Sequence, residues 1–73
     1  MIDPIHQLRF LAARDVVKLT SLSRAHIYRL VSEGTFPKPV HVDGRRVAWV
    51  QGEVEAWMRG RLAARDAGEG RAA

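Results

Sequence analysis

The side chains able to do chemistry fall into two groups. Ser23, Arg24, Ala25, His26, Tyr28 and Arg29 lie close together, and Arg45 and Arg46 stand side by side further on. The chemistry they offer is recognition. An arginine fork of N–H donors matches the O6 and N7 acceptors of guanine and also matches phosphate. A serine hydroxyl can reach phosphate, and an alanine methyl can meet the methyl of thymine. Arg29 has the length and fork for a guanine. Arg24 and Ser23 are better placed for phosphate, and Ala25 suits a thymine methyl. His26 is the weakest of these candidates. Tyr28 has a second reading, a half-buried aromatic with only its hydroxyl exposed.

Other chemistries find no residues. No glycine-rich phosphate loop is present. His6, His26 and His41 lack the spacing of metal ligands, and no cysteine could supply a thiolate. No set of nucleophile, base and orienting group can be drawn, so no enzyme activity and no cofactor are expected.

The elements that must position the first group are two short helices with a break between them. Ala13 to Leu19 or Thr20 reads as one helix, with Ala13, Val16, Val17 and Leu19 facing inward. It has about two turns and needs packing to hold it. Thr20-Ser21-Leu22 is the break, and Leu22 can plug the space between the helices. Ser23 is a strong N-cap type, and Ile27, Leu30 and Val31 form an apolar stripe at i, i+3 and i+4. Gly34 stops this second helix near Glu33. Steps of about 100° put Ala25, Arg29 and Ser32 opposite the stripe, with Tyr28 and His26 on the flanks. Two helices joined this way form a helix-turn-helix, whose second helix reads the major groove through its N-terminal residues. The plainer alternative is an αα-corner with a solvated charged face.

The second group sits on a predicted hairpin. After an extended crossing, Thr35-Phe36-Pro37-Lys38-Pro39, with Phe36 as its core anchor, Val40-His41-Val42 and Val47-Ala48-Trp49 alternate with period two. An even loop puts Val40, Val42, Val47 and Trp49 on one face. A two-residue Asp43-Gly44 turn and a four-residue loop, Asp43 to Arg46, both satisfy this parity. The shorter loop leaves Arg45 on the core side; Arg46 is exposed in either case. A basic hairpin after a helix-turn-helix is a wing, and wings grip phosphates or enter the minor groove. Two ordinary surface arginines on a solvated turn are the alternative.

Gln51 to about Ala64 is the longest helix, with Val54, Trp57, Met58, Arg61 and Leu62 on one stripe. Trp49 and Trp57 read as core residues. Arg9-Phe10-Leu11 is a brief strand or a lead-in to the first helix, and Phe10 or Leu11 should reach the core. Residues 1–9 form an N-terminal arm, in which Asp3-Pro4 could cap a turn and Ile2, Ile5 and Leu8 could pack at its edge. Residues 10–65 form the domain. The Gly- and Ala-rich tail, 66–73, is expected to be disordered.

The 73 residues leave room for one small domain, mainly α with a small β-hairpin. The stability expected of a single core this size is about 3–5 kcal/mol. The net charge is +4, and of the twelve basic residues only Lys18 and Lys38 are lysine. That balance suits an acidic partner, although an Arg- and Ala-rich composition also follows from genome bias. No run is apolar enough to span a membrane and no signal-peptide pattern opens the chain, which fits a cytoplasmic protein.

Several motifs in order resemble one family. They are Leu22-Ser23-Arg24, Ile27-Tyr28-Arg29, Gly34-Thr35-Phe36-Pro37-Lys38-Pro39-Val40, Arg46-Val47-Ala48-Trp49 and Glu53-Val54-Glu55-Ala56-Trp57. From about Phe10 to Arg59 the sequence resembles the AlpA-type regulators and related phage-type excisionases, small proteins with a MerR-like winged-helix fold. Two departures stand out. Ser21 replaces the glycine usual in the turn, and Val50-Gln51-Gly52 lacks the usual polar cap before the last helix. The resemblance implies a double-stranded DNA-binding regulator of a mobile element. Such proteins activate integrase or excision genes, or act as recombination directionality factors that bind repeated sites, bend DNA and steer an integrase toward excision. Further copies of the chain on tandem sites, and an integrase, are the implied partners. A module whose basic face binds an acidic protein, such as an integrase or a polymerase subunit, is the competing reading.

Overall fold

The computed structural model describes residues 8–68. Six elements follow one another: β1 (Phe10–Leu11), α1 (Ala13–Thr20), α2 (Arg24–Glu33), β2 (Val40–Asp43), β3 (Arg46–Val50) and α3 (Gln51–Asp66). The expected N-terminal arm and tail lie mostly outside the described residues. Of the arm only Leu8 and Arg9 are described, and Leu8 is exposed. Asp66 belongs to α3 rather than to the tail, and a turn follows it.

Both helix-turn-helix segments end in left-handed residues, for local reasons. At the end of α1, Ser21 has φ 66° and its amide donates to the Val17 carbonyl at 2.8 Å. This is the single-bond left-handed cap. The Leu22 amide donates to the Thr20 hydroxyl at 3.2 Å, which holds the bend. Ser21 is the one described non-glycine residue with positive φ. A side chain costs about 1–2 kcal/mol there, partly offset because glycine loses more entropy on folding. Ser21→Gly is therefore expected to stabilise the domain by about 0.5–1 kcal/mol, raising the melting temperature by a few degrees in a thermal denaturation.

α2 begins and ends as its sequence predicts. The Ser23 hydroxyl accepts from the His26 amide at 3.1 Å. At the other end Gly34 has φ 79°, its amide donates to Val31, and the Thr35 amide donates to Leu30, both at 3.0 Å. Those two bonds are the Schellman pair, so the helix stops where its free carbonyls are satisfied.

The core is small and continuous. Leu11, Val16, Ile27, Phe36, Trp49 and Val54 are buried together, with Ala13, Val17, Leu22, Leu30, Val31, Val47, Trp57 and Met58 packed around them. Every element except β2 contributes a buried residue. Two indole N–H groups fasten the crossing that follows α2. Trp49 Nε1 donates to the Pro37 carbonyl at 2.9 Å, and Trp57 Nε1 donates to the Thr35 carbonyl at 2.7 Å. The Phe36 ring meets Trp57 edge to face at 4.8 Å between centroids. Two prolines cannot enter a regular ladder, so side-chain donors take up carbonyls of this stretch instead.

The sheet has three antiparallel strands in the order β1-β3-β2. Phe10 and Leu11 of the Arg9-Phe10-Leu11 run are thus a strand, and Leu11 reaches the core while Phe10 faces solvent. β1 also resolves the missing polar cap of α3. Val50 makes no side-chain cap, but the Gln51 amide donates to the Arg9 carbonyl at 2.7 Å.

The hairpin departs from the expected parity. Asp43 pairs with Arg46, so the loop is Gly44-Arg45, neither the Asp43-Gly44 turn nor the four-residue loop. Gly44 takes the first loop position at φ 52°. That closing pair alone would place Val42 opposite Val47 and Val40 opposite Trp49. A bulge between His41 and Asp43 adds one residue to β2, so His41 pairs with Val47 and Val40 with Ala48. Val40 and Val42 are exposed as a result, while Val47 and Trp49 still pack inward. All of β2 is exposed, and a bulge on such an edge strand discourages pairing with other chains.

Two expected core residues are also on the surface. Leu19 is 42% and Leu62 51% exposed. α1 is two turns long and only its Val16 side is covered; Arg61 and Leu62 are exposed at the end of the α3 stripe, in an open groove beside Thr20 and Leu22.

Candidate nucleic-acid interface

α2 is ten residues long, about 15 Å, a length that fits within a major groove. Ile27 holds it down, fully buried, and Leu30 and Val31 pack beside it. That leaves Arg24, Ala25, Tyr28 and Arg29 facing outward, with His26 half buried. Ser23 is exposed as the cap. Its hydroxyl is engaged by the His26 amide, so it has a structural task beside any contact with phosphate. The first-turn amides and the helix dipole point toward the same end, a favourable place for an anion.

Tyr28 answers to both of its readings. It is 42% exposed, yet its ring lies edge to face against Trp49, with centroids 5.6 Å apart. Trp49 belongs to β3, the strand that leads from the hairpin tip into the core. Tyr28 therefore ties the exposed helix to the wing while leaving part of its own surface free.

Arg45 and Arg46 are both exposed at the hairpin tip. The Gly44-Arg45 loop brings Arg45 out of the core side on which an Asp43-Gly44 turn would have left it. Neither guanidinium forms an ion pair among the described residues, and neither does Arg24. Ion pairs engage Arg29, Arg59 and Arg65 instead.

Arg29 sits in a network that the sequence reading did not single out. Its Nη2 donates to His26 Nε2 at 2.9 Å, and its Nε lies 3.8 Å from Glu33 Oε2. The Ser32 hydroxyl donates to the Arg29 carbonyl at 2.7 Å. Spacings of i, i+3 and i, i+4 along a helix bring such side chains together, and that spacing was the available signal for Glu33. Among the described residues no group of His, Cys, Asp or Glu is arranged to hold a metal ion. No described helix is long and apolar enough to cross a membrane.

A capped, outward-facing basic helix set on a shorter helix, with an arginine-tipped hairpin tied to it through Tyr28 and Trp49, is a winged helix-turn-helix domain. The chain belongs to the family described as prophage CP4-57 regulatory protein (AlpA), which it matches over residues 9–62. It is similar to ORF88 of Enterobacteria phage P4, a protein described as uncharacterized, with 48% identity over 64 residues that cover 88% of this chain and 73% of the relative. The family match takes in every described element from β1 through most of α3, including both arginine groups.

Proposed function

We propose that this chain is a sequence-specific double-stranded DNA-binding regulator of a mobile genetic element. α2 lies in the major groove, and the Arg45-Arg46 tip reaches the adjacent backbone or minor groove. Ser23, Arg24, Ala25, His26, Tyr28, Arg29, Arg45 and Arg46 form the contact surface. The carrying observation is that the outward face of a well-capped helix and the hairpin tip present Arg24, Arg45 and Arg46 without carboxylate partners among the described residues. Membership of a prophage regulatory family supports the same reading.

The regulator acts in the cytoplasm, either on transcription of integrase or excision genes or as a recombination directionality factor. Both roles use one set of DNA contacts. In the second role further copies occupy tandem sites and an integrase is the partner.

The wing supplies the test. About six phosphate contacts would give a slope near −5 in a plot of log affinity against log salt. Arg46→Ala removes one contact at the tip. It is expected to weaken binding about equally on all sequences and to reduce the salt slope by about 1, read by fluorescence anisotropy on specific and unrelated duplexes. A chain that instead binds an acidic protein would give no footprint on any duplex at moderate salt.

A further inference from the structure

The row His26, Arg29 and Glu33 runs along one flank of the exposed face of α2. Arginine has only donors, so the 2.9 Å contact requires His26 Nε2 to accept, which places the imidazole proton on Nδ1. Nε and Nη2 form one edge of the guanidinium. Both are engaged, Nη2 by His26 and Nε by the facing carboxylate of Glu33. At the other edge, the tip of the fork, Nη1 has no hydrogen-bond partner among the described residues, and Nη2 keeps one further N–H. A guanine offers O6 and N7 as two adjacent acceptors, which suit that edge.

We infer that His26 and Glu33 are positioning residues that hold Arg29 as an end-on fork for one guanine. The inference rests on the reading of α2 as the recognition helix and adds how that helix discriminates. The physical basis is preorganisation. A free arginine loses rotamer freedom when it docks on a base, and one already held on its side edge loses less. Glu33 has a second effect. Its charge opposes transfer of Arg29 to a phosphate, because that move would leave a carboxylate unpaired near the DNA backbone. Glu33 thus favours base over backbone without touching DNA itself, and His26 does so by holding Arg29, beside any contact of its own.

The test uses the full chain and a randomised duplex library, with base preference measured at each position of the enriched site. Wild type is expected to select guanine at one position, and Arg29→Ala to erase that preference. Glu33→Gln and His26→Ala are each expected to lower discrimination at that position by about threefold to tenfold, the range set by ordering one side chain. For Glu33→Gln, preferences elsewhere and the melting temperature stay close to wild type, while affinity for unrelated duplex rises because the carboxylate no longer opposes a phosphate contact by Arg29. His26→Gln restores discrimination, because its amide oxygen accepts from Nη2. If Glu33→Gln and His26→Ala keep the full guanine preference that Arg29→Ala loses, the positioning role is overturned while the recognition helix stands. Equal loss at every position also overturns it, since a general structural effect would do that. If wild type enriches no sequence, or Arg29→Ala changes no preference, the recognition reading fails and the positioning role fails with it.

Discussion

Trp49→Ala is expected to abolish the folded state under ordinary conditions. Trp49 is fully buried at the centre of the sheet and touches three parts of the molecule. Its ring packs in the core, its edge contact supports Tyr28, and its N–H takes up the Pro37 carbonyl. Truncating a buried tryptophan costs about 3–5 kcal/mol. The expected stability of a domain this small is about 3–5 kcal/mol, so the two quantities are equal in size. Loss of the helical circular dichroism signal and of a cooperative urea transition would show it. Trp49→Phe separates packing from hydrogen bonding. It keeps most of the volume but leaves the Pro37 carbonyl without its donor, a cost of about 1–3 kcal/mol, so a weakened but cooperative transition is expected. A Trp49→Ala melt within a few degrees of wild type would mean that the core does not depend on this residue.

Arg29→Ala is expected to leave the fold intact and to damage recognition. The side chain is 62% exposed, and its ion pair with Glu33 is an exposed i, i+4 contact worth about 0.3–0.5 kcal/mol, so stability changes little. At the specific site the loss is about 1–3 kcal/mol, tenfold or more in affinity at the middle of that range, with one base position blurred. Unrelated duplexes lose less, because a backbone contact is one among several. Competition titrations with specific and unrelated duplex measure both quantities. Equal losses on both would assign Arg29 to the backbone and remove it from base reading.

The parts of this fold that were legible in the sequence are those governed by neighbouring residues. Ser23 and Gly34 bound α2 through hydrogen bonds that span three to five residues, and the stripe through Ile27 follows from helix period alone. The parts that were not legible depend on distant partners. β1 is two residues long and exists because β3 lies beside it. The bulge at Val42 reverses the parity of β2, and nothing in the alternation of Val40 and Val42 announces an extra residue. Leu19 and Leu62 match their stripes, yet both stay exposed among the described residues, and helix period alone does not tell which part of a stripe a neighbouring element covers. The candidate site divides in the same way. Exposure of Arg24, Ala25 and Arg29 follows from the period of α2, whereas the double role of Tyr28 needed the position of Trp49. Glu33 was within reach of the sequence through its i, i+4 spacing from Arg29, whereas the simultaneous contact of the guanidinium with His26 depends on the rotamers of three side chains.

The central claim is that α2 and the wing together read duplex DNA. The most direct measurement is a footprint of the full chain on the DNA flanking its own coding sequence, at moderate salt and with excess unrelated duplex as competitor. Protection of a short, discrete sequence that the competitor does not abolish is the predicted result. No protection on any flanking duplex, or protection that any DNA removes equally, would contradict it.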